Sequence, residues 1–263
     1  MAPTTKSLET AEKTIASFYD AFAADYDLMT GFAKRFVQEK PFFHMLVDKH
    51  KIQTALDAGC GTGFHSLLLA QLGVAVTAVD VSGEMVKRLQ QHANAMHLKI
   101  STLVASFEHL PAAVDQTFDF ILSMGNSLVH ILTEREMLTV LKNFRGRLKP
   151  SGLLFVQTLN YDRILSQRER VQSTKETPMK TFVRFYDYAE QEILFNILTL
   201  EKSNGATKER LQTVPLRPWR RDELVGLLGR AGFEGPRVHG GVALQDFHPE
   251  DSKDLVILAK PRQ

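Results

Sequence analysis

The spacing of hydrophobic and polar positions changes along this chain, and the changes predict its elements. As far as residue 51, apolar residues recur every three or four positions, as on one face of a helix. From residue 54 to 159, short apolar runs alternate with helical patterns. Between residues 181 and 216, three strand-like runs follow one another directly. This order predicts N-terminal helices, an α/β core and an antiparallel segment.

The N-terminal region predicts two helices. Apolar residues from Leu8 to Phe22 share one helical face. Residues 23–30 are small or acidic and predict a break. Residues 32–51 predict a second helix, which Pro41 would kink or restart because proline lacks the backbone donor.

The middle of the chain predicts a doubly wound α/β fold of the Rossmann-like kind. The predicted strands cover residues 54–58, 74–79, 100–105, 118–124 and 153–158, with a last strand at 255–259. Helical patterns separate them, and Thr133 to Glu136 matches a capping box at the start of one helix. Strands that alternate with helices form a mostly parallel sheet with helices on both faces.

The pattern changes after residue 160. Residues 163–177 are charged and predict a loop or an exposed helix, and three antiparallel strands follow. We predict an inserted flap at residues 161–217, lying over the ligand edge of the sheet. The core then comprises residues 53–160 and 218–263, and the helices of residues 1–52 close the site.

A glycine-rich turn carries the strongest chemical signal. Gly59, Gly61 and Gly63 follow the first strand, and Asp80 ends the second. This layout is typical of a nucleoside site, because glycine lets the backbone approach a ligand and the acid accepts hydrogen bonds from a ribose diol. A dinucleotide fingerprint needs a glycine where Phe64 stands, which disfavours a nicotinamide oxidoreductase but leaves it as an alternative.

Three segments resemble motifs of class I S-adenosylmethionine-dependent methyltransferases. Residues 57–63 resemble the first motif, residues 79–85 the second, and residues 148–152 the turn before the fifth strand. The resemblance implies S-adenosyl-L-methionine as cofactor and S-adenosyl-L-homocysteine as product. It also implies that the glycine turn packs against the methionine half of the cofactor. Members without catalytic activity remain an alternative.

Ligands of such sheets lie beyond the carboxyl ends of the strands, which selects the candidate cofactor residues. Asp80 would hold the ribose, Val81 and Phe107 would enclose the adenine, and Ser106 would meet its edge. Asp80 could instead cap a helix, and Phe107 could belong to the core. The full set of cofactor candidates is Tyr19, Tyr26, Arg35, Gly59, Gly61, Asp80, Val81, Met85, Ser106, Phe107 and Met124.

Two further segments, residues 125–130 and 160–165, resemble the corresponding segments of the glycine/sarcosine N-methyltransferase branch. In that branch an upstream arginine binds the cofactor carboxylate, and counting back gives Arg35. The glycine-specific enzymes have an arginine where this chain has Leu159, which argues against glycine itself because a buried carboxylate needs its cation. Arg184 in the flap is a candidate replacement.

Asn126, His130 and Tyr161 are the candidate catalytic residues. Asn126 could orient the acceptor, and His130 is the best candidate for a base, although it could equally start a helix or pack in the core. We expect methyl transfer to a small molecule, with N-methylation of an amine ahead of O- or C-methylation. A dedicated base is not required if the amine loses its proton before it binds.

Composition and charge narrow the class of partner. The 263 residues include 32 Lys and Arg against 30 Asp and Glu, which gives a net charge of +2 and argues against nucleic acid or a membrane surface as partner. Cys60 is the single cysteine, so no disulfide can form within the chain, and we expect a cytoplasmic protein. The histidines lack metal-ligand spacing, so no metal is expected. The sequence leaves the oligomeric state open.

Overall fold

Helices and strands follow each other along the chain much as the apolar pattern predicts. The computed structural model describes residues 5–190, 192–203 and 206–263. The helices are α1 (Thr5–Asp20), α2 (Ala23–Thr30), α3 (Phe32–His50), α4 (Phe64–Gln71), α5 (Gly83–Ala95), α6 (Leu110–Ala113), α7 (Glu134–Arg147), α8 (Tyr161–Gln167) and α9 (Arg221–Arg230), with a 3-10 helix at Ser127–His130. The strands are β1 (Thr54–Ala58), β2 (Ala75–Asp80), β3 (Ser101–Val104), β4 (Phe118–Ser123), β5 (Leu148–Leu159), β6 (Val171–Glu176), β7 (Lys180–Tyr188), β8 (Ile193–Ser203), β9 (Ala206–Leu216), β10 (Phe233–His239) and β11 (Asp254–Pro261).

The main sheet has seven strands in the order β10-β11-β5-β4-β1-β2-β3. The five strands from β5 to β3 run parallel, whereas β11 and β10 are antiparallel to their neighbours. The chain winds outward in one direction from β1 to β3 and in the other from β4 onward. The point between β1 and β4 is therefore the topological switch point, where sheets of this kind bind ligands.

The second sheet consists of β6, β7, β8 and β9, all antiparallel. Its buried side chains, among them Phe182 and Tyr186, belong to the same apolar cluster as Leu56 and Leu154 of the main sheet. Phe22 of the N-terminal region joins that cluster and packs edge-on against Phe182, with 5.8 Å between ring centroids. These two sheets confirm the predicted fold class, a mostly parallel doubly wound sheet with an antiparallel insertion.

The N-terminal helices are tied to the main sheet by polar contacts near the glycine turn. Asp20 accepts hydrogen bonds from the Ser82 hydroxyl at 2.5 Å and the Glu84 backbone at 3.1 Å, so it covers the first turn of α5. Thr62 donates to Asp27 at 2.6 Å. The helices therefore end beside the residues that follow β1 and β2. None of the described helices has both the length and the apolar character needed to cross a membrane.

One prediction about the N-terminal region is wrong, and the second predicted helix forms without a restart at Pro41. Residues 23–30 form α2 rather than a break, because alanine, leucine and methionine favour a helix and Gly31 ends it in the left-handed conformation, with φ of 70°. Residues 32–50 form one helix through Pro41. Proline removes the hydrogen bond to the Val37 carbonyl, and Val37 is largely exposed, so water can take its place.

The other errors concern residues after β5. Residues 163–177 are neither a loop nor one exposed helix, since they contain the end of α8 and the whole of β6. The second sheet accordingly has four strands instead of three, and β10 was not predicted. Both missed strands lie at sheet edges, where one side of the strand meets solvent and the apolar alternation is weak.

Candidate functional site

Two adjoining cavities lie at the switch point of the main sheet. The first, which we call the crevice, is lined by Glu12, Ile15, Tyr19, Tyr26, Gly59, Gly61, Asp80, Val81, Met85, Ala105, Ser106, Phe107, Gly125, Ser127, His130 and Ile131. The second, which we call the chamber, has a volume of about 540 Å³ and lies between the main sheet, the N-terminal helices and the second sheet. Four residues line both cavities, namely Tyr19, Tyr26, Gly125 and His130. We call these four residues the junction.

The glycine turn forms the floor of the crevice. The backbone N–H groups of Gly59 and Cys60 both donate to the Val79 carbonyl, at 2.8 and 3.0 Å, which holds the turn against β2. Gly59 has a φ of 78°, and a Cβ there would lie 2.7 Å from the Ser127 hydroxyl. A Cβ on Gly61 would meet only a Tyr26 ring atom at 3.9 Å. The turn is therefore packed below Gly59 and open to the crevice above Gly61.

Asp80 lies at the end of β2 with its carboxylate across the glycine turn. One oxygen accepts the Gly61 N–H at 2.8 Å, and the other accepts the Ser82 N–H at 2.9 Å. Burial raises the pKa of Asp80 to about 6, against the opposing effect of these two hydrogen bonds. A carboxylate has about four acceptor sites, so two remain for a ligand in the crevice.

The far end of the crevice is apolar with a polar edge. Phe107 packs edge-on against Phe144, with ring centroids 5.8 Å apart, and so presents a fixed aromatic surface. Val81 and Met85 line the same cavity. The Ser106 hydroxyl lies 3.0 Å from a His109 ring nitrogen at the cavity edge. A flat heteroaromatic ring fits such a slot, with its faces on apolar side chains and its edge toward polar groups.

The junction carries a buried tyrosine–histidine pair. The Tyr19 hydroxyl and the His130 Nε2 are 2.7 Å apart. Burial lowers the pKa of His130 to about 4, and the Pro215 backbone opposes this shift only in part. Burial also raises the pKa of Tyr19 well above its usual value, with smaller contributions from Tyr26 and Asp80. Both side chains are therefore neutral at pH 7, and His130 is a weak base.

Asn126 and Tyr161 form a clamp between the carboxyl ends of β4 and β5. The Asn126 side chain donates to the Tyr161 hydroxyl at 2.9 Å and accepts from the Leu159 N–H at 3.0 Å. Asn126 lines the chamber, whereas Tyr161 is fully buried behind it and lines neither cavity. Tyr161 therefore acts on the chamber through side chains that it hydrogen-bonds, Asn126 and Tyr186, both of which line that cavity.

Arg35 lies in the chamber wall rather than in the crevice. Its Nε donates to Glu39 at 2.9 Å, and its guanidinium carbon lies 4.3 Å from the centre of the Phe64 ring. Glu39 also lies 3.3 Å from the His65 ring. Burial alone would raise the pKa of Glu39, but His65 and Arg35 together lower it below its usual value. Glu39 thus holds the Nε edge of Arg35 and leaves the terminal nitrogens of the guanidinium to a ligand.

The structure brings most of the predicted site residues together. The crevice contains ten of them, namely Tyr19, Tyr26, Gly59, Gly61, Asp80, Val81, Met85, Ser106, Phe107 and His130. Arg35, Met124 and Asn126 line only the chamber. Tyr161, behind Asn126, is the one predicted residue outside both cavities.

Sequence reasoning missed several residues of the site. Ser127 lies under the glycine turn, and its hydroxyl donates to the Met124 carbonyl at 2.9 Å. Gln157 accepts the Gly125 N–H at 2.7 Å and donates to Asp254 at 2.8 Å, which fixes the junction from below. Ser127 stood within the predicted strand-end segment and could have been found. Gln157 and Asp254 gave no signal, because their contact joins β5 to a strand 97 residues later.

Comparison with known proteins agrees with this geometry. The family model described as "Methyltransferase domain" matches residues 55–152. The glycine/sarcosine N-methyltransferase of Aphanothece halophytica is 25% identical over 255 residues, covering 92% of this chain and 89% of the relative. The glycine/sarcosine/dimethylglycine N-methyltransferase of Actinopolyspora halophila is 27% identical over 91% of this chain but only 41% of its own length. An S-adenosylmethionine-dependent methyltransferase from Clostridium acetobutylicum has the same fold, with a TM-score of 0.79 at 15% identity over 93% of this chain and 99% of its own.

Proposed function

The chain is a class I S-adenosylmethionine-dependent methyltransferase, and we propose that it methylates the nitrogen of a small amine. The similar proteins from Aphanothece and Actinopolyspora, named for methylation of glycine, sarcosine or dimethylglycine, support nitrogen as the methylated atom. The observation that carries the proposal is the junction, where the crevice with the glycine turn and Asp80 meets a larger chamber through four shared residues. Cofactor and acceptor would approach each other there from opposite sides.

The crevice residues fit the cofactor. Asp80 retains acceptor sites for the ribose hydroxyls, and Phe107 with Val81 suits the faces of an adenine ring. The open side of Gly61 accommodates the chain that leads from the ribose toward the junction. Arg35 would then receive the cofactor carboxylate on its terminal nitrogens, while Glu39 keeps its Nε.

The chemistry of the junction favours an amine over a hydroxyl acceptor. Bound S-adenosylmethionine supplies a methyl group already activated by its positive sulfur. The protein must align a neutral nucleophile with that methyl group and exclude water. His130, with a pKa of about 4, is a poor base, and Tyr19 stays protonated. An amine can lose its proton to water before it binds, whereas a hydroxyl needs a strong base within reach.

In this proposal, the side chains near the junction orient the acceptor rather than take its proton. Tyr19 and Tyr26 line the junction through which the acceptor would approach the cofactor. The Asn126 side chain is held in one orientation by its hydrogen bonds to Tyr161 and Leu159. We therefore assign a positioning role to Tyr161. The acceptor nitrogen would gain the methyl group as the bond from that group to the cofactor sulfur breaks, and the resulting ammonium could release a proton to water.

The proposal extends to the roles of the segments. The N-terminal helices (residues 1–52, of which 1–4 lie outside the described residues) would close the crevice, since Asp20 and Asp27 tie them to Ser82 and Thr62. Residues 161–217 would cover the acceptor between core segments 53–160 and 218–263. A cytoplasmic location is part of the proposal, because Cys60 is the single cysteine and burial raises the pKa of its thiol, which keeps it unreactive.

Methyl-labelled cofactor tests the proposal directly. The protein is incubated with it and with separate panels of amines, alcohols and activated carbon acids, and label in each acceptor is measured by mass spectrometry. We expect label on amines, with formation of S-adenosylhomocysteine in equal amount. Transfer confined to hydroxyl or carbon acceptors would replace nitrogen as the target. Tight cofactor binding without transfer to any panel would contradict the proposed reaction.

A further inference from the structure

The chamber wall carries more positive charge than its own carboxylates neutralise. Arg35 is paired with Glu39. Burial raises the pKa of Asp254 against the opposing effects of Gln157, Arg35 and Lys253, so Arg35 and Lys253 both lie near that carboxyl. The other two cationic side chains of the wall are Arg163 and Arg184. Within residues 5–190, 192–203 and 206–263, neither has a carboxylate at ion-pair distance.

Arg184 is held in place and leaves its terminal nitrogens to the chamber. It lies half-buried on β7, and its Nε donates to the Ser173 hydroxyl of β6 at 2.6 Å. Its charge lowers the pKa values of Tyr26 and Tyr186 against the larger effect of burial, so the guanidinium lies near both phenols. Because Tyr26 belongs to the junction, Arg184 lies on the side of the chamber where the acceptor must react.

Arg163 reaches the chamber from the core. It lies half-buried in the first turn of α8, and one terminal nitrogen donates to Gln167 at 3.0 Å. Its Nε is inaccessible to solvent and has no hydrogen-bond partner in the described residues. A buried donor of a charged group without an acceptor is costly, and an anion on the terminal nitrogens of the same guanidinium would offset that cost by neutralising its charge.

We propose that the methyl acceptor carries an anionic group, which Arg184 of the second sheet and Arg163 of the core bind together. This inference rests on the proposed function and adds one property of the acceptor, its negative charge. Leu159 leaves no cation at the end of β5, so the positive charge comes from β7 and α8 instead. The chamber of about 540 Å³ would receive the carboxylate end of the cofactor at Arg35 as well as the acceptor. The bound anion would contact both Arg163 of the core and Arg184 of the second sheet, so its binding would hold these two parts of the protein together.

Anion binding to the protein loaded with S-adenosylhomocysteine tests this without turnover. Acetate and inorganic phosphate are titrated separately by calorimetry into the wild type and into the Arg184→Gln and Arg163→Gln variants. The matched control is Arg170→Gln, which removes an exposed arginine beside the second sheet that is paired with Asp187 at 2.8 Å and lies outside the chamber wall. We expect binding to the wild type and the control, and a loss of at least about tenfold in each chamber variant.

The result also separates the two classes of anion and the two proposals. Binding of acetate alone identifies a carboxylate, and binding of phosphate alone identifies a phosphate. No binding of either anion to the wild type, or equal binding to Arg184→Gln, would overturn the inference even if amines are methylated. If anions bind as expected and no amine is methylated, the proposed reaction fails and the anion site stands. An Arg184→Lys variant that recovers part of the affinity would show that charge, not folding, is responsible.

Discussion

The crevice and the chamber differ in how far apart in the chain their walls lie. Apart from the N-terminal helices, the crevice is built by the ends of β1 to β4, and its polar centre, Asp80, lies 19 residues after Gly61. The chamber brings together Arg35, Arg184 and Asp254 from distant elements. One cavity is mainly apolar and closed by backbone hydrogen bonds, whereas the other contains several charged side chains. In the proposed function, the crevice holds the nucleoside half of the cofactor, and the chamber holds the carboxylate end of the cofactor at Arg35 together with the acceptor.

This difference predicts which of the two cavities determines the choice of acceptor. The backbone conformation of the glycine turn is fixed by the Val79 carbonyl and by packing under Gly59, so few side-chain changes are possible there. The chamber walls are side chains on α3, α8 and β7, which can change without disturbing the sheet. Variants in the crevice should therefore affect all cofactor-dependent steps, and variants in the chamber should discriminate between ligands.

The largest effect should come from Asp80 in the crevice. Asp80→Ala removes the proposed acceptor of the ribose hydroxyls and leaves the Gly61 and Ser82 N–H groups without their partner. Loss of two hydrogen bonds to a charged group predicts an affinity for S-adenosylhomocysteine reduced about a hundredfold or more, measured by calorimetry. Glu84→Ala is the control, because Glu84 is exposed on the following helix and should leave affinity unchanged. Near-normal affinity of a folded Asp80→Ala protein would remove the ribose assignment.

The second prediction distinguishes the contribution of Arg35 in the chamber wall from that of the crevice to cofactor binding. Arg35→Met should weaken S-adenosylhomocysteine about ten- to thirtyfold, because the proposed partner of its carboxylate is lost. Methylthioadenosine, which has no carboxylate, should bind equally to both proteins. Lys40→Met on the same helix serves as control, since Lys40 bonds Gln71 away from the site. An equal loss for both nucleosides would mean that Arg35 acts on the crevice as a whole, and adding Glu39→Gln tests whether the unpaired Glu39 is the cause.

The fold could be predicted from the sequence largely because strands and helices of the core are adjacent in the chain. The apolar runs at β1, β2, β4 and β5 can be recognised without knowledge of distant residues. The spacing between the glycine turn and Asp80 likewise predicts the geometry of that part of the site. Residues 23–30 were mispredicted for the opposite reason. Their alanine, leucine and methionine favour a helix, but the acidic residues among them suggest a loop when their partners are unknown. In the fold, Asp25 binds Lys180 at 2.9 Å, 155 residues later, and Asp27 accepts from Thr62.

The same distinction holds for the site residues. Most of the crevice candidates could be found because they directly follow strands. The sequence gives no reason to pair Gln157 with Asp254 or Arg184 with Arg163, since those pairs depend on how β11 and the second sheet dock. His130 illustrates a further limit. Its position follows from the motif, but its low pKa follows from burial in the folded protein, which the Pro215 backbone opposes only in part. Charge state is a property of the tertiary environment.

A third prediction concerns pH and the crevice alone. Burial raises the pKa of Asp80 to about 6, and only the ionised carboxylate accepts fully from the ribose. Affinity for S-adenosylhomocysteine should therefore be constant above pH 7 and fall by up to about tenfold per unit below pH 6. His130 stays neutral down to about pH 4 and does not contribute in this range. An Asp80→Asn protein should lose this dependence. An equally steep profile in Asp80→Asn would contradict the assignment.

The smallest effect should come from Tyr19, and it tests whether the junction belongs to one cavity or to both. Tyr19→Phe keeps the ring and removes one neutral hydrogen bond, to His130. Such a bond contributes about 0.5–1.5 kcal/mol, which corresponds to a two- to tenfold change. If Tyr19 only aligns the two ligands, kcat should fall by that factor while the Kd of S-adenosylhomocysteine stays the same. Tyr188→Phe, which loses a bond to the Glu169 carbonyl outside both cavities, should change neither value. A loss in cofactor affinity equal to the loss in kcat would place Tyr19 in the crevice alone, and the two cavities would then not meet at this side chain.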